Sequence, residues 1–177
     1  SRKVENQTAY LKEIHYQIND KNYFGIGFKN DSGGYEIRNK YSKICLGKKD
    51  ISTIKNGEEL LCIFEGFFDF LSFKNIEQDL QKKPSDYIIL NSVSMIPKIK
   101  NLIQNYQKVE LYFDNDNAGN RAVEMLKNEL KNIEDCRILY KNHKDLNEFL
   151  MSWEMRKRDT GREYEDLNKI NTRKLGR

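Results

Sequence analysis

No apolar run in this 177-residue chain approaches the roughly 18 residues of a membrane span. No basic segment followed by an apolar one opens it as a secretory signal would. A soluble protein of a reducing, cytoplasmic compartment is therefore expected. Cysteine is scarce: Cys45, Cys62 and Cys136 are odd in number and never spaced Cys-x-x-Cys, which argues against a zinc ribbon or a disulfide framework. The two histidines, His15 and His143, are too few and too distant in sequence for a histidine-based site. The low hydrophobicity of a disordered chain is also missing, since the apolar residues fall into defined runs and aromatics make up 11%,. What is present is length enough for one domain, or one plus a small addition. The net charge of +4 permits a polyanionic partner without requiring one,. Ser1 in place of Met is what a segment of a longer protein would show.

From residue 60 onward, short apolar runs alternate with longer amphipathic segments, the pattern of a parallel α/β sheet,. Leu60–Phe64, Tyr87–Leu90, Val109–Phe113 and Cys136–Tyr140 are the expected strands. The expected helices run from Phe67 to about Gln81, from Lys98 to Tyr106 behind Pro97, from Ala118 to about Ile133, and along the stripe Leu146, Phe149, Leu150 and Trp153,. This predicts an open, mainly parallel four-stranded sheet with flanking helices over residues 58–152. Before it, residues 1–57 read as a small antiparallel β unit: Tyr23–Lys29 and Tyr35–Lys40 flank the turn-forming Asn30-Asp31-Ser32-Gly33-Gly34, and Ile44–Leu46 adds a short strand,. Residues 153–177 are polar and charge-dense, as in a helical extension or a mobile tail,.

Acids gather where such a sheet binds ligands, outside the carboxyl ends of its strands. Glu65 follows the first strand of the α/β part, Asp114 and Asp116 the third, and Asp145 lies just beyond the fourth. Residues two apart in extended backbone point the same way, so Asp114 and Asp116 are expected to face one spot. Two such charges about 4 Å apart repel by roughly 4 kcal/mol at an effective dielectric near 20, so a proton or a cation must sit among them. Oxygen-only ligands select a hard ion, Mg²⁺ or Mn²⁺. Taken alone, Asp145 or Asp69 reads as an ordinary loop or capping acid. For Asp114 with Asp116, Asn117 is available as the helix N-cap, which would leave both acids free,. Gly119, at the helix start, allows a backbone or a phosphate to approach closely.

"IFEGFFDFLS" (63–72) and "LYFDNDNAGNRA" (111–122) closely resemble the two halves of the Toprim domain, the metal-binding α/β module of DnaG-type bacterial primases, type IA and type II topoisomerases and some nucleases. Glu65-Gly66 with Asp69 matches the EGxxD pattern, and Asp114, Asp116, Ala118 and Gly119 match DxDxAG in its primase-like form. "KDLNEFL" (144–150) stands where primases carry D-P-D-x-L, with Leu146 and Asn147 replacing the Pro and the second acid. "GIGFKNDSGGYEIRN" (25–39) resembles the β-rich subdomain ahead of Toprim in primase-like proteins of bacterial mobile elements.

The resemblance implies metal-dependent nucleotidyl transfer making RNA primers on single-stranded DNA, with nucleoside triphosphates as substrates and a helicase or other replication protein as a possible partner. It implies Glu65, Asp114 and Asp116 as catalytic residues, Glu65 doing acid/base work. It implies metal ligation by those three with Asp145, and phosphate or template contacts from Arg38, Lys29, Lys40, Arg121 and Gly119, with Lys48 and Lys49 as further candidates. A Toprim-type nuclease and a non-catalytic module binding DNA or a replication protein remain alternatives. A topoisomerase needs a tyrosine nucleophile from another domain. A haloacid-dehalogenase-type phosphatase would carry its Asp-x-Asp near the chain start.

Overall fold

The structure, a computed structural model, describes residues 8–160; the part of the expected C-terminal extension beyond Thr160 lies outside them. The N-terminal sheet is a meander of β1 (Leu11–Ile18), β2 (Lys21–Lys29), β3 (Tyr35–Arg38) and β4 (Lys43–Leu46), each antiparallel to the next. The turn at Asn30–Gly34 forms as expected, with Gly33 at φ 83°, the Asn30 amide donating to the Gly34 carbonyl at 2.9 Å and the Gly34 amide to Asn30 Oδ1 at 2.8 Å,. β1 is a strand that the apolar pattern did not mark. Asn19 and Asp20, at φ 48° and 60°, make the two-residue turn that pairs it with β2,.

The second sheet has five strands where four were expected, in the order β5-β7-β6-β8-β9. They are β5 (Ser52–Ile54), β6 (Leu60–Phe64), β7 (Asp86–Ile89), β8 (Lys108–Tyr112) and β9 (Ile133–Asp135), and all neighbours are parallel except β5 with β7. The fourth predicted strand is displaced. Cys136–Tyr140 forms a 3₁₀ turn, opened by the Asp135 side chain accepting from the Arg137 amide at 3.1 Å,, and the strand is the half-buried segment before it. The helices are α1 (Phe67–Ile76), α2 (Ile96–Ile103), α3 (Asn117–Glu129) and α4 (Leu146–Thr160). The first and third end earlier than periodicity suggests. Leu130 turns extended after α3, and Gln81 takes φ 50° in the loop beyond α1.

Alternation along the central strands separates two cores. Leu61 and Ile63 of β6 and Val109 and Leu111 of β8 pack against α2 and α3 through Ile96, Ile99, Ile103, Val123 and Leu126. Cys62, Phe64 and Tyr112 turn to the other face, among Phe67, Phe70, Phe73 and Ile76 of α1 and Phe149 of α4,. α1 is buried almost all round because the N-terminal sheet also docks on it. Phe28 of β2 stacks on Phe67 at 5.3 Å and meets Phe70 edge-on at 5.9 Å,. Since Phe67 opens α1, the first sheet is fastened next to the carboxyl end of β6. No helix among the described residues is long and apolar enough to cross a membrane.

Candidate active site

The chain leaves β6 through α1 to reach β7 on one side, and later returns to place β8 on the other. The carboxyl ends of β6 and β8 therefore flank the point where strand order reverses, the usual ligand crevice of such a sheet. Glu65 and Asp114 sit there on neighbouring strands. The Asp114 amide donates to Glu65 Oε2 at 3.4 Å. Asp69, one turn into α1, points back under them, 7% exposed, with Oδ1 accepting from the Asn147 amide at 3.2 Å. Asp145 arrives from the loop before α4. One oxygen from each of Asp69, Asp114 and Asp145 lies within 4.8 Å of the others.

Asn115 brings that loop in. Its Nδ2 donates to the Tyr140 and His143 carbonyls at 3.0 and 2.8 Å, and its amide to the Lys144 carbonyl at 2.6 Å. The residue between the two acids of the Asp-x-Asp motif is thus the strap that carries Asp145 to the site. Asn115→Ala should cost about 1–3 kcal/mol by leaving two carbonyls without their donor, and weaken divalent-ion binding while Asp114 itself is intact. Thermal melts with and without Mg²⁺ check both effects.

Two glycines have steric reasons. A Cβ on Gly119 would overlap the Asp114 carbonyl oxygen, well inside van der Waals contact, and one on Gly66 would press on Asp69 Oδ2 at 3.2 Å. Both motif glycines make room for acid-bearing backbone or side chain. For Gly119 the close neighbour is a backbone carbonyl.

Asp116 caps α3 in place of Asn117. Its Oδ1 accepts from the Ala118 and Gly119 amides at 2.9 and 2.8 Å, because the helix begins at Asn117 and its first free amides need an acceptor just before it. One oxygen is thereby occupied. The acid that joins Asp114 and Asp145 in the tight group is Asp69, which taken alone reads as an ordinary loop or capping acid. The pattern Glu-Gly-x-x-Asp was its signal: Asp69 lies one helical turn after the strand end and faces back along α1.

The electrostatics separate this group from an ordinary acidic cluster. Burial, then Asp145 and Asp114, push the Asp69 carboxyl up to about 8. Burial, then Glu65 and Asp145, push Asp114 up to about 7. Burial also raises Glu65, Asp116 adding to it against the Asp114 amide and Lys43. Among the described residues none of the four forms an ion pair. A second set of ligand-type side chains, Glu110, Glu134 and Cys136, is the opposite case. Burial works against ionisation of Glu110, but Lys82 at 2.7 Å, Tyr112 at 2.7 Å and Lys108 at 2.9 Å outweigh it and hold the carboxylate at about 2. That set is neutralised from within the protein, whereas Asp69, Asp114 and Asp145 need a proton or an external cation. Three hard oxygens that cannot all ionise unaided fit a divalent ion of the Mg²⁺ class.

A pH dependence follows. Unfolded aspartate titrates near 3.9, so the folded chain binds protons at Asp69 and Asp114 more tightly than the unfolded one. Their contribution to stability is full below about pH 4 and is lost as pH rises through about 7 and 8,. In EDTA, the melting temperature should fall between pH 5.5 and 8.5, and saturating Mg²⁺ should recover most of the loss at the upper end. Scanning calorimetry at both pH values checks this.

Facing the acids are two bases of the N-terminal sheet. Arg38 and Lys43 are register partners on β3 and β4, and Arg38 pairs with Ile26, two residues from Phe28, so both bases lie on the face turned to α1,. The Arg38 guanidinium lies over the Phe67 ring at 5.4 Å. Burial lowers its pKa while Glu36 and Asp69 raise it. Burial and then Arg38 lower the Lys43 pKa, against the pull of Glu65 and Asp114. Lys43 was missed because only the β3–β4 register reveals its facing. Lys29 and Arg121 are exposed, Lys40 lies over the Tyr41 ring at 5.6 Å, and no contact brings Lys29 or Arg121 to the acidic group.

With this geometry in place, the comparisons with known proteins agree. The Toprim-like family matches residues 62–150. The chain belongs to the Toprim-like family. Residues 1–47 match a second family, "Domain of unknown function (DUF8464)". No curated relative matches. The Toprim-like chain shares the fold of the primase fragment of the bacteriophage T7 primase-helicase protein, at 19% identity and a TM-score of 0.57, over 88% of this chain and 67% of the other. A chain from the structure of bacteriophage T7 lagging-strand DNA polymerase interacting with primase domains of two gp4 subunits bound to an RNA/DNA hybrid and dTTP aligns at 18% identity and a TM-score of 0.60, over 85% and 82%. At 88% and 85% of this chain, both alignments extend beyond the Toprim-like domain of residues 62–150.

Proposed function

We propose that this chain is the catalytic core of a DnaG-type, primase-like nucleotidyltransferase, making RNA primers on single-stranded DNA from nucleoside triphosphates. The observation that carries the reading is the group Asp69, Asp114 and Asp145 without an internal counter-ion at the switch point, opposite Arg38 and Lys43. The fold it shares with phage T7 primase supports it. Mg²⁺, or Mn²⁺, would be held by Asp69, Asp114 and Asp145, with Glu65 and the free oxygen of Asp116 at the margin. Such an ion, when bound, supplies neutralisation of phosphate charge and orientation of a phosphoryl group. Arg38 and Lys43 bind phosphate oxygens from the other wall of the crevice, their aligned positive charges complementing the polyanion. Glu65, held above the usual carboxylate range by burial, is the group placed to take a proton from an attacking 3′-hydroxyl. A helicase or another replication protein is the expected partner in a longer assembly.

Primer synthesis on single-stranded DNA with Mg²⁺ or Mn²⁺, run beside a cleavage assay on the same DNA, tests the proposal. The intact chain should extend ribonucleotides. Asp114→Ala should lose about 10³-fold or more, and Glu65→Gln about 10²- to 10⁴-fold. Cleavage without synthesis would make the chain a Toprim-type nuclease. Neither activity, with DNA binding intact, would make it a binding module.

A further inference from the structure

The exposed aromatic side chains are not scattered. Among the described residues they are Tyr23, Phe24, Tyr41 and Phe68, and all but Phe68 belong to the N-terminal sheet. Phe24 is 64% and Tyr41 87% exposed, an unusual setting for large rings that make no core contact. Side-chain alternation puts Phe24, Ile26 and Phe28 on one face of β2,. Phe28 is the residue docked on α1, Ile26 pairs with Arg38, and Phe24 comes next, beyond the edge of the Toprim-like domain. The face that roofs the acidic group thus continues outward past Ile26 to Phe24, whose ring stacks on His15 at 6.0 Å, with Glu13 on the same face of β1. With Arg38, Lys40 and Tyr41 it lines a groove of about 570 Å³, within the range of small-ligand sites.

The groove is held in shape by one side chain. Asn39 Oδ1 accepts from the Tyr41 and Ser42 amides at 2.9 and 2.8 Å, closing the β3–β4 hairpin. Its Nδ2 donates to the Phe24 carbonyl at 3.2 Å and to the Tyr16 hydroxyl at 3.0 Å. The hairpin tip that carries Tyr41 is thereby pinned to the strand that carries Phe24. Lys40 lies over the Tyr41 ring at 5.6 Å. At the inner end, Arg38 over Phe67 and the Phe67–Phe68 stack at 4.6 Å connect the groove to the turn bearing Glu65 and Asp69.

We propose that Phe24 and Tyr41 form a base-stacking platform for single-stranded nucleic acid, with Arg38, Lys40 and Lys43 tracking its phosphates toward the acidic group. Flat π-faces beside cations that form no ion pair among the described residues are what a strand with splayed bases needs. A folded protein partner would be expected to need a larger apolar patch with fewer bases around it, and duplex DNA keeps its base faces stacked on each other. The proposal rests on the reading of the site as one that acts on nucleic acid, but binding can be measured without turnover.

The test is fluorescence anisotropy with a labelled 12-nucleotide single strand in EDTA, at two salt concentrations, with a 2-aminopurine-containing copy reporting stacking. Phe24→Ala/Tyr41→Ala should bind about ten-fold or more weakly and lose 2-aminopurine quenching. Its salt slope should be unchanged, because no phosphate contact is removed. Phe24→Tyr/Tyr41→Phe should restore binding and quenching. Both rings are exposed, so an unchanged melting temperature verifies folding of the alanine variant. Unchanged affinity of that variant, or equal affinity of the intact chain for a 12-base-pair duplex, overturns the platform. Failure of primer synthesis by an intact chain whose strand binding needs both rings would instead remove the primase reading and leave the platform standing.

Discussion

Asp69→Asn should abolish divalent-ion binding and, in the metal-free protein at pH 8, raise the melting temperature. The two effects have one origin. Asp69 is buried beside Asp114 and Asp145 with no base in ion-pair contact among the described residues, and its carboxyl is pushed up to about 8. An ionised Asp69 is therefore a net cost to the empty site. Asparagine keeps the oxygen that accepts the Asn147 amide and removes the charge. At pH 8 in EDTA the gain should be about 1–2 kcal/mol, or roughly 3–6 °C for a chain of this size. It should shrink as pH falls and vanish below about pH 4, where the carboxyl is protonated in the folded and unfolded chain alike,. Nucleotidyl transfer should drop by about 10³-fold or more. A variant less stable than the parent at both pH values would show that the carboxylate is structural. Gain of stability with loss of function is the behaviour of a charge retained for chemistry.

Gly119→Ala should be the most damaging single methyl addition in the site. Its Cβ would overlap the Asp114 carbonyl, and two backbone segments would have to part. They are the end of β8 and the first turn of α3, joined by the Asp116 cap. Neither can shift cheaply. Arg137 donates to Asn120 Oδ1 at 2.6 Å and to both Asp135 oxygens at 2.9 Å, which holds α3 to β9. The expected cost is at least ~3 kcal/mol, a fall of about 6–12 °C in melting temperature, with activity lost even where the variant folds, because Asp114 is displaced. Urea unfolding measures the first and primer synthesis the second. Ala at Gly66, against a side-chain oxygen that can swing, should cost less in stability and more selectively in metal affinity.

These two residues also show how far the sequence could be read. β6 and β8 were visible because strands buried on both faces are short continuous apolar runs, and the acids following them had to lie at the carboxyl edge. That Asp116 would cap α3 and Asp69 would lie beside Asp114 and Asp145 was not legible, because capping and ligation call for the same residue types; Asp145, whose Oδ1 accepts from the Glu148 amide at 2.7 Å, stands in both positions at once,. β1 was overlooked because Leu11–Ile18 alternates only partly, yet Asn19-Asp20 is a two-residue hairpin signal that could have marked it,. β5 and β9 are three-residue edge strands whose existence depends on their neighbours. The facing of Lys43 required the β3–β4 register, which no local pattern carries,.

The central claim is that Asp69, Asp114 and Asp145 together hold a divalent ion. Titration calorimetry with Mn²⁺ at pH 8, on the intact chain and on Asp114→Asn, tests it most directly. The intact chain should bind with release of protons, since carboxyls held near pH 7 and 8 must ionise to ligate, and Asp114→Asn should show no binding. Equal binding by both, or binding without proton release, would contradict the assignment.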